Sequence, residues 1–182
     1  MDFTLLDIPD VILIEPRVFK DERGFFMETF AKKSFSLAGL PADFVQDNHS
    51  GSKQGSLRGL HYQILQPQGK LVRVVAGEAY DVAVDLRRSS PTFGRWVAAH
   101  LSAENKNQLW IPPGFAHGFY VLSEWAEVLY KASDYYAPQS ERTLLWNDSA
   151  LHINWPLIDG RPPTLSTKDA AGKTLAEAET YE

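Results

Sequence analysis

Short apolar segments, each followed within a few residues by turn-forming residues, recur along most of the chain. These segments are rich in Val, Ile, Phe, Tyr and Trp, which favour strands. Examples are Val11–Ile14, Gly24–Phe30, Leu71–Val75, Tyr80–Leu86, Trp96–Leu101, Phe119–Leu122, Val128–Ala132 and Thr143–Trp146. Because no helix of ten or more residues is predicted between them, the pattern favours an all-β antiparallel sandwich or barrel over a βαβ sheet.

The segment Tyr80–Leu86 has the clearest alternation. Large apolar residues occupy every second position, and Asp81 and Asp85 lie between them. This period of two predicts a strand with one buried face and one partly polar face.

Helix signals are few. Residues Ala31–Ala38 are expected to form a short helix that Gly39 ends. Ser166 and Asp169 have the Ser-x-x-Asp spacing of a helix start. The polar, acidic tail after Gly172 is expected to fray.

Composition narrows the class of protein. The chain has 182 residues, with 44% apolar and 23% charged residues, which fits one globular domain over residues 1–182. Its formal net charge of −5 disfavours a nucleic-acid coat protein. It has no cysteine, so thiolate metal sites and thiol nucleophiles are excluded. We expect a cytoplasmic protein with no membrane partner, because neither a membrane-length apolar stretch nor a signal-like N-terminus occurs.

Two of the five histidines, His61 and His117, stand next to glycines in strand-like segments. Strict alternation along Leu57–Gln63 would direct Arg58 and His61 to opposite faces. If Gly59 forms a bulge, the two side chains share a face instead. Alternatively, Gly59 only permits close packing and Arg58 is a surface charge.

These segments resemble the two motifs of cupin jelly rolls. Gly55 and His61 match fixed positions of the first motif, but Gln63 stands where metal cupins have a second histidine, and no glutamate follows at the expected spacing. The second motif is matched by Pro112, Gly114 and His117. Two histidines make a poor catalytic metal site. The resemblance therefore implies a cupin-type jelly roll without a metal or other cofactor.

A narrower resemblance joins nine segments. They are Asp21–Phe26, Gln46–Ser50, Leu57–His61, Gln68–Arg73, Asp81–Asp85, Ser102–Asn105, Trp110–Phe119, Tyr130–Lys131 and Leu145–Asp148. Together, in this order, they are similar to the dTDP-4-dehydrorhamnose 3,5-epimerase family of the dTDP-L-rhamnose pathway. No single segment is decisive, but the combination is highly specific.

The resemblance implies a dTDP-linked 4-keto-6-deoxyhexose as substrate, inverted at C3 and C5 through an enolate. It implies His61 as the base, paired with Asp169, and Tyr130 as the acid on the opposite face. It implies Lys70 as the cation beside the enolate oxygen. Taken alone, Asp169 fits a helix cap, Tyr130 a packed aromatic and Lys70 a solvated charge.

The resemblance also implies a set of substrate-binding residues and a partner. The set is Arg23, Glu28, Gln46, Asp47, Asn48, Arg58, His117, Glu141 and Lys168. The family forms homodimers whose N-terminal segment reaches the partner's site, so Arg23 and Glu28 are expected to act in trans. The sequence does not choose which aromatic residue stacks on the thymine.

Three other functions fit the same residues. A mono-epimerase of a related deoxysugar pathway would share His61, Asp169 and Tyr130. A metal-dependent cupin would need bound metal, against which Gln63 argues. A non-catalytic cupin that binds sugars or nucleotides would show no proton exchange.

Overall fold

Two antiparallel sheets that pack face to face form the body of the protein. The computed structural model describes residues 1–182. Numbered in chain order, the strands of the six-stranded sheet lie side by side as β1 (Asp2–Leu5), β2 (Ile12–Glu15), β10 (Gln108–Ile111), β7 (Lys70–Ala76), β12 (Trp125–Ala132) and β5 (Gln46–Lys53). The five-stranded sheet has the order β13 (Glu141–Thr143), β6 (Leu57–Gln63), β11 (Phe115–Val121), β8 (Glu78–Asp85) and β9 (Trp96–Ser102). A separate hairpin pairs β3 (Val18–Asp21) with β4 (Gly24–Met27).

The all-β prediction is confirmed, and the arrangement is a cupin-type jelly roll. A cluster of 16 buried apolar residues lies between the sheets and joins Val72 and Val128 of one sheet to Ala83 and Phe119 of the other. These side chains exclude water from the space between the sheets, which is the main favourable term in folding. The helices α1 (Lys32–Leu37) and α2 (Thr167–Ala170) are short, and neither helix is long and apolar enough to cross a membrane.

A second apolar cluster covers the outer face of the five-stranded sheet. Leu151, Trp155 and Ala178 of the C-terminal segment pack there against strand residues such as Val82 and Val84. Strand β8 is therefore buried on both faces, and Asp81 and Asp85 are only 1% and 0% exposed. The predicted alternation is present, but its polar face points into the protein interior rather than to solvent.

The tail after Gly172 does not fray as predicted, because specific contacts hold it against strand β6. The Tyr181 hydroxyl donates to the Gln63 carbonyl oxygen at 2.6 Å, and the Tyr62 hydroxyl donates to the Glu179 carbonyl oxygen at 2.6 Å. The polar composition of the tail did not predict these hydrogen bonds of Tyr181 and Tyr62.

Both helix predictions are confirmed, whereas strands β1, β3, β5 and β10 were not among the predicted segments. Helix α1 ends at Leu37, and Gly39 follows with a left-handed φ of 73°. The Ser166 side chain accepts a hydrogen bond from the Asp169 amide at the start of α2. Strand β5 was missed because its residues are almost all polar, and polar residues with Gly51 are typical of turns.

Of the two alternatives left open for Gly59, the structure has the bulge. His61 pairs with His117, but Arg58 pairs with Phe119, so two residues of β6 face one residue of β11 between these pairs. Gly59 has φ of 117°, and a β-carbon there would lie 2.6 Å from the His117 carbonyl oxygen. Only glycine fits this close approach. The extra residue directs Arg58 and His61 to the same inner face.

Candidate active site

A cavity between the two sheets brings together side chains from five strands. The five-stranded sheet contributes His61 and Glu141, and the six-stranded sheet contributes Lys70 and Tyr130. The other lining residues are Tyr62, Gln63, Gln68, Phe115, Tyr136 and Tyr181. His61 and Tyr130 thus stand on opposite sheets and line the same space.

His61 is oriented by a buried carboxylate. Its Nε2 lies 2.5 Å from Asp169 Oδ1, and the Asp169 side chain is almost fully buried. The Ser166 hydroxyl donates to the other carboxylate oxygen at 2.8 Å. With Nε2 bound to Asp169, the Nδ1 atom of His61 has no protein hydrogen-bond partner. This ring nitrogen is available to accept a proton from a ligand.

Asp169 remains ionised despite its burial. Burial alone would raise its pKa, but hydrogen bonds from His61 and Ser166 and the charge of His61 outweigh that effect and lower it. A carboxylate beside the imidazole favours the imidazolium that forms when His61 accepts a proton. The predicted pairing of His61 with Asp169 is therefore present in the fold.

Lys70 is a buried cation with no carboxylate within ion-pair distance. Its residue is 9% exposed, and burial lowers its pKa to about 8, although the negative charges of Asp81 and Glu141 act in the opposite direction. Its Nζ lies 5.9 Å from the centre of the Tyr130 ring. An ammonium group without a nearby counter-ion is well placed to stabilise a negative charge that develops in the cavity.

Tyr130 remains a phenol at neutral pH. Burial raises its pKa above the ordinary value of about 10, and the charge of Glu141 raises it further. Its hydroxyl has no hydrogen-bond partner in the protein. Strand β12 places Tyr130 opposite Asn48 of β5 and Val72 of β7, in the inner layer of the six-stranded sheet.

His117 lies beside His61, because the two residues are register partners across β6 and β11. Its Nε2 contacts both carboxylate oxygens of Asp81 at 3.0 Å, and both side chains are buried. Burial lowers the pKa of His117, although the charge of Asp81 opposes the change. Each histidine thus directs Nε2 at a carboxylate, and no group of three or more His, Cys, Asp or Glu side chains is arranged to hold a metal ion.

Arg58 crosses from one sheet to the other. Its Nε donates to Ser52 Oγ at 2.8 Å, and its Nη2 donates to the Gly51 carbonyl oxygen at 3.2 Å. Alternate residues of β5 extend a polar stripe beside it, in which Asn48 Nδ2 and Ser50 Oγ are buried without partners. Unpartnered buried polar atoms are costly, so this stripe is suited to a polar ligand.

Glu141 joins two residues at the mouth of the cavity. It forms an ion pair with Lys168 Nζ and accepts a 2.7 Å hydrogen bond from the Tyr136 hydroxyl. Burial alone would raise the pKa of Glu141, but these two hydrogen bonds outweigh it and lower the pKa.

Three of the predicted substrate-binding residues do not line the cavity of their own chain. Arg23 is at the tip of the β3–β4 hairpin, where its exposed guanidinium pairs with Asp21 at 2.6 Å. Glu28 is exposed just after that hairpin. Asp47 points to the outer face of the six-stranded sheet and pairs with Lys131 at 2.9 Å. The other predicted residues, Gln46, Asn48, Arg58, His117, Glu141 and Lys168, lie on the inner face or at its mouth.

Sequence reasoning missed several residues around the cavity. Asp81 was visible as a carboxylate in an otherwise apolar strand, but nothing linked it to His117. Gln68 and Phe115 had no signal of their own, because their position depends on the ends of strands that meet only in the folded chain. Tyr136 was only one of several aromatic candidates.

Comparison with known proteins identifies the family of this chain. A family model described as dTDP-4-dehydrorhamnose 3,5-epimerase matches residues 5–177. The dTDP-4-dehydrorhamnose 3,5-epimerase of Pseudomonas aeruginosa is 62% identical over 182 residues, which cover 100% of this chain and 99% of that protein.

Solved structures show the same fold. The dTDP-6-deoxy-D-glucose-3,5-epimerase of Legionella pneumophila, in complex with dTDP-4-keto-L-rhamnose, has a TM-score of 0.94 at 54% identity and covers 98% of this chain and 94% of that one. A 3′-monoepimerase of Streptomyces bikiniensis, in complex with dTDP-quinovose, has a TM-score of 0.87 at 37% identity, with 94% and 86% covered. On the family match and the full-length identity, this chain is a member of the dTDP-4-dehydrorhamnose 3,5-epimerase family.

Proposed function

We propose that this protein converts dTDP-4-dehydro-6-deoxy-D-glucose to dTDP-4-dehydro-L-rhamnose by inverting C3 and C5 without a cofactor. One observation carries the proposal: a histidine paired with a carboxylate and an un-ionised tyrosine line one cavity from opposite sheets. A carbon whose proton leaves toward one sheet and returns from the other is inverted.

The 4-keto group makes both reactions possible. A hydrogen on C3 or C5 is acidic because its loss places the electron pair in an enolate whose charge lies on the C4 oxygen. His61 accepts that proton at Nδ1, and Asp169 stabilises the resulting imidazolium. The C–H bond breaks, the enolate forms and no electrons leave the sugar, so no redox cofactor is needed.

Lys70 stabilises the enolate in this proposal. Its ammonium is buried and forms no direct ion pair, so no protein carboxylate neutralises its positive charge at close range. Preorganised charge of this kind, aimed at the oxygen that becomes negative, lowers the barrier without reorganising solvent.

Tyr130 completes the inversion. Its phenol donates a proton to the enolate carbon from the face opposite His61, and the C–H bond forms as the enolate collapses to the ketone. Lys70, 5.9 Å from the ring centre, also stabilises the phenolate that is left. Proton exchange with solvent then restores Tyr130 and His61.

The nucleotide is bound by the remaining inner-face residues. Arg58 suits the diphosphate, because a guanidinium can donate to two oxygens at once. The β5 stripe with Asn48, together with Glu141, Lys168 and His117, supplies polar contacts to the sugars and base. Gln46 has its amide already bonded to Asn48 and to the Tyr136 backbone, so its effect on the ligand is exerted through those residues.

A homodimer is part of the proposal. The β3–β4 hairpin exposes Phe25 and Phe26, whose residues are 57% and 71% exposed, and carries Arg23 at its tip. Aromatic residues exposed to this degree are typical of interaction surfaces. A partner's site would bury them and receive Arg23 and Glu28 in trans. We also propose a cytoplasmic location and one domain over residues 1–182.

Incubation of the protein with dTDP-4-dehydro-6-deoxy-D-glucose in D2O tests the reaction. Deuterium should appear at both C3 and C5, with L-rhamnose stereochemistry in the product. Exchange at neither carbon, with dTDP still bound, would instead favour a non-catalytic binding cupin.

A mono-epimerase is the second candidate. The likeness to a 3′-monoepimerase of Streptomyces bikiniensis favours it, because the same fold serves a single-carbon epimerase there. Deuterium at C3 alone in the same assay would identify this activity.

A further inference from the structure

The loop Asp134–Ala137, which follows strand β12, forms one wall of the cavity. It carries two large side chains, Tyr135 and Tyr136, whose residues are 62% and 52% exposed. Tyr136 lines the cavity, and its hydroxyl donates to Glu141. A loop with little apolar burial of its own needs other contacts to stay in one conformation.

Gln63 supplies the central contacts. Its Nε2 donates to the Tyr135 carbonyl oxygen at 3.2 Å and to the Gln66 carbonyl oxygen at 2.7 Å. Its Oε1 accepts from the Ala137 amide at 2.9 Å. The Gln63 residue is only 4% exposed, and its bond to the Ala137 amide is buried, whereas its two bonds to carbonyl oxygens are partly buried.

Two more glutamines hold the residues on either side. Gln68 Nε2 donates to the Asp134 carbonyl oxygen at 2.8 Å, and Gln46 Oε1 accepts from the Tyr136 amide at 3.0 Å. Every residue of the loop therefore has a backbone group bonded to a glutamine amide from β5, β6 or the segment before β7. We call Gln46, Gln63 and Gln68 the glutamine clamp.

The chemistry of the central position admits few alternatives to an amide. Two carbonyl oxygens require donors, and the Ala137 amide requires an acceptor, so the side chain must offer both from one end. A carboxylate at position 63 would face two carbonyl oxygens, and an apolar side chain would leave three backbone groups without this partner, among them the buried Ala137 amide. Both ends of the Gln63 amide are thus bonded to backbone groups.

We infer that Gln63, at the position of a metal-binding histidine in metal cupins, is a positioning residue that fixes the Tyr136 wall and so sets affinity for the nucleotide part of the substrate. The inference rests on the proposed function for the identity of the ligand. It assigns Gln63 no contact with the reacting carbons, which lie between His61 and Tyr130.

The test compares Gln63→Met, which keeps the length of the side chain and removes its polar end, with Gln54→Met. Gln54 serves as the control because its exposed amide also donates to a backbone carbonyl, that of Leu122 at 2.8 Å, and it does not line the cavity. For each protein we would measure the Kd for dTDP by calorimetry, kcat and KM for the nucleotide sugar, and hydrogen exchange of the Ala137 amide.

In Gln63→Met, the Kd for dTDP and the KM should rise about tenfold, with kcat within about twofold of wild type. Exchange of the Ala137 amide should accelerate about tenfold or more. Gln54→Met should change none of these values. A Kd within twofold of wild type, or a fall in kcat at constant KM, would overturn the inference.

A second variant keeps the inference testable if Gln63→Met fails to fold. Gln68→Met removes one outer bond of the clamp at a half-buried position and should shift Kd in the same direction by a smaller factor. An unchanged Kd in that variant would count against the clamp. Failure of wild-type protein to bind dTDP would contradict the proposed function, whereas faster Ala137 exchange in Gln63→Met would still establish the clamp.

Discussion

His61 and Asp169 are separated by 108 residues in the chain, yet His61 Nε2 and Asp169 Oδ1 lie 2.5 Å apart. The first residue is on the central part of strand β6, and the second is in the first turn of helix α2, whose start Ser166 fixes. Helix α2 contacts β6 directly. The one-turn helix thus places a buried carboxylate against Nε2 of the imidazole, on the side opposite the free Nδ1.

Asp169→Asn should lower turnover by roughly 10²–10⁴-fold. The amide keeps the shape of the side chain but cannot stabilise the imidazolium by charge. Steady-state kinetics with the 4-keto sugar would measure the loss. The Kd for dTDP should stay within about twofold of wild type, and near-normal turnover would show that His61 needs no carboxylate.

Tyr130→Phe should separate proton exchange from inversion. His61 can still remove a proton and return one to the same face, so deuterium should enter the substrate from D2O while its configuration is retained. Nuclear magnetic resonance of the recovered sugar nucleotide would detect both features. Full epimerisation by this variant would assign the acid to another residue.

Lys70→Met should reduce turnover by about 10²–10³-fold, because the enolate loses its nearest cation. In the wild-type protein, the rate should fall as the pH rises past about 8, where Lys70 loses its proton. A pH–rate profile measured from pH 6 to 10 would reveal this alkaline limb, the fall in rate above about pH 8. An identical alkaline limb in Lys70→Met would assign it to a different group.

The same substitution should make the protein more stable. The pKa of Lys70 is about 8 in the folded chain and 10.5 in its ordinary state, so between these values the unfolded chain binds the proton that the folded chain lacks. Through this group, the free energy of unfolding rises as the pH increases from about 8 to 10.5 and is lowest below pH 8. In urea unfolding at pH 7, the free energy of unfolding of Lys70→Met should therefore be higher than that of the wild-type protein.

Gly59→Ala should destabilise the fold by more than about 3 kcal/mol. The new methyl group would meet the backbone of β11 at 2.6 Å, and φ of 117° is unfavourable for alanine. Chemical denaturation would measure the change. Gly39→Ala is a suitable comparison, since its φ is also positive but no atom lies within 4 Å of the added carbon, so its cost should be smaller.

Mixing two inactive variants tests whether Arg23 acts in trans. Arg23→Ala and His61→Ala chains, unfolded and refolded together, should recover up to about a quarter of wild-type activity, because half the dimers are mixed and each has one intact site. The two variants refolded separately provide the baseline. No recovery in a mixture shown to contain mixed dimers would place Arg23 in its own chain's site or outside the site.

The pattern of short alternating apolar segments determined that the chain forms antiparallel sheets, since side-chain period and turn residues are local properties. The same holds for helix α1 and the Ser166 cap. Strand β5 could not be predicted in this way. Its inner residues are polar because they face the cavity, and a polar stripe facing inward has the same composition as a solvated turn.

The sequence identified individual residues of the candidate site, through motifs and family resemblance, but not the contacts between them. His61 and His117 stood out through neighbouring glycines, and Tyr130, Lys70 and Asp169 through resemblance to the family. Which of these side chains meet depends on contacts between residues far apart in the chain, such as the bulge at Gly59 that turns Arg58 inward. Burial decided the rest, because only the closed space between the sheets leaves Lys70 without a counter-ion and makes the Gln63 amide bind backbone.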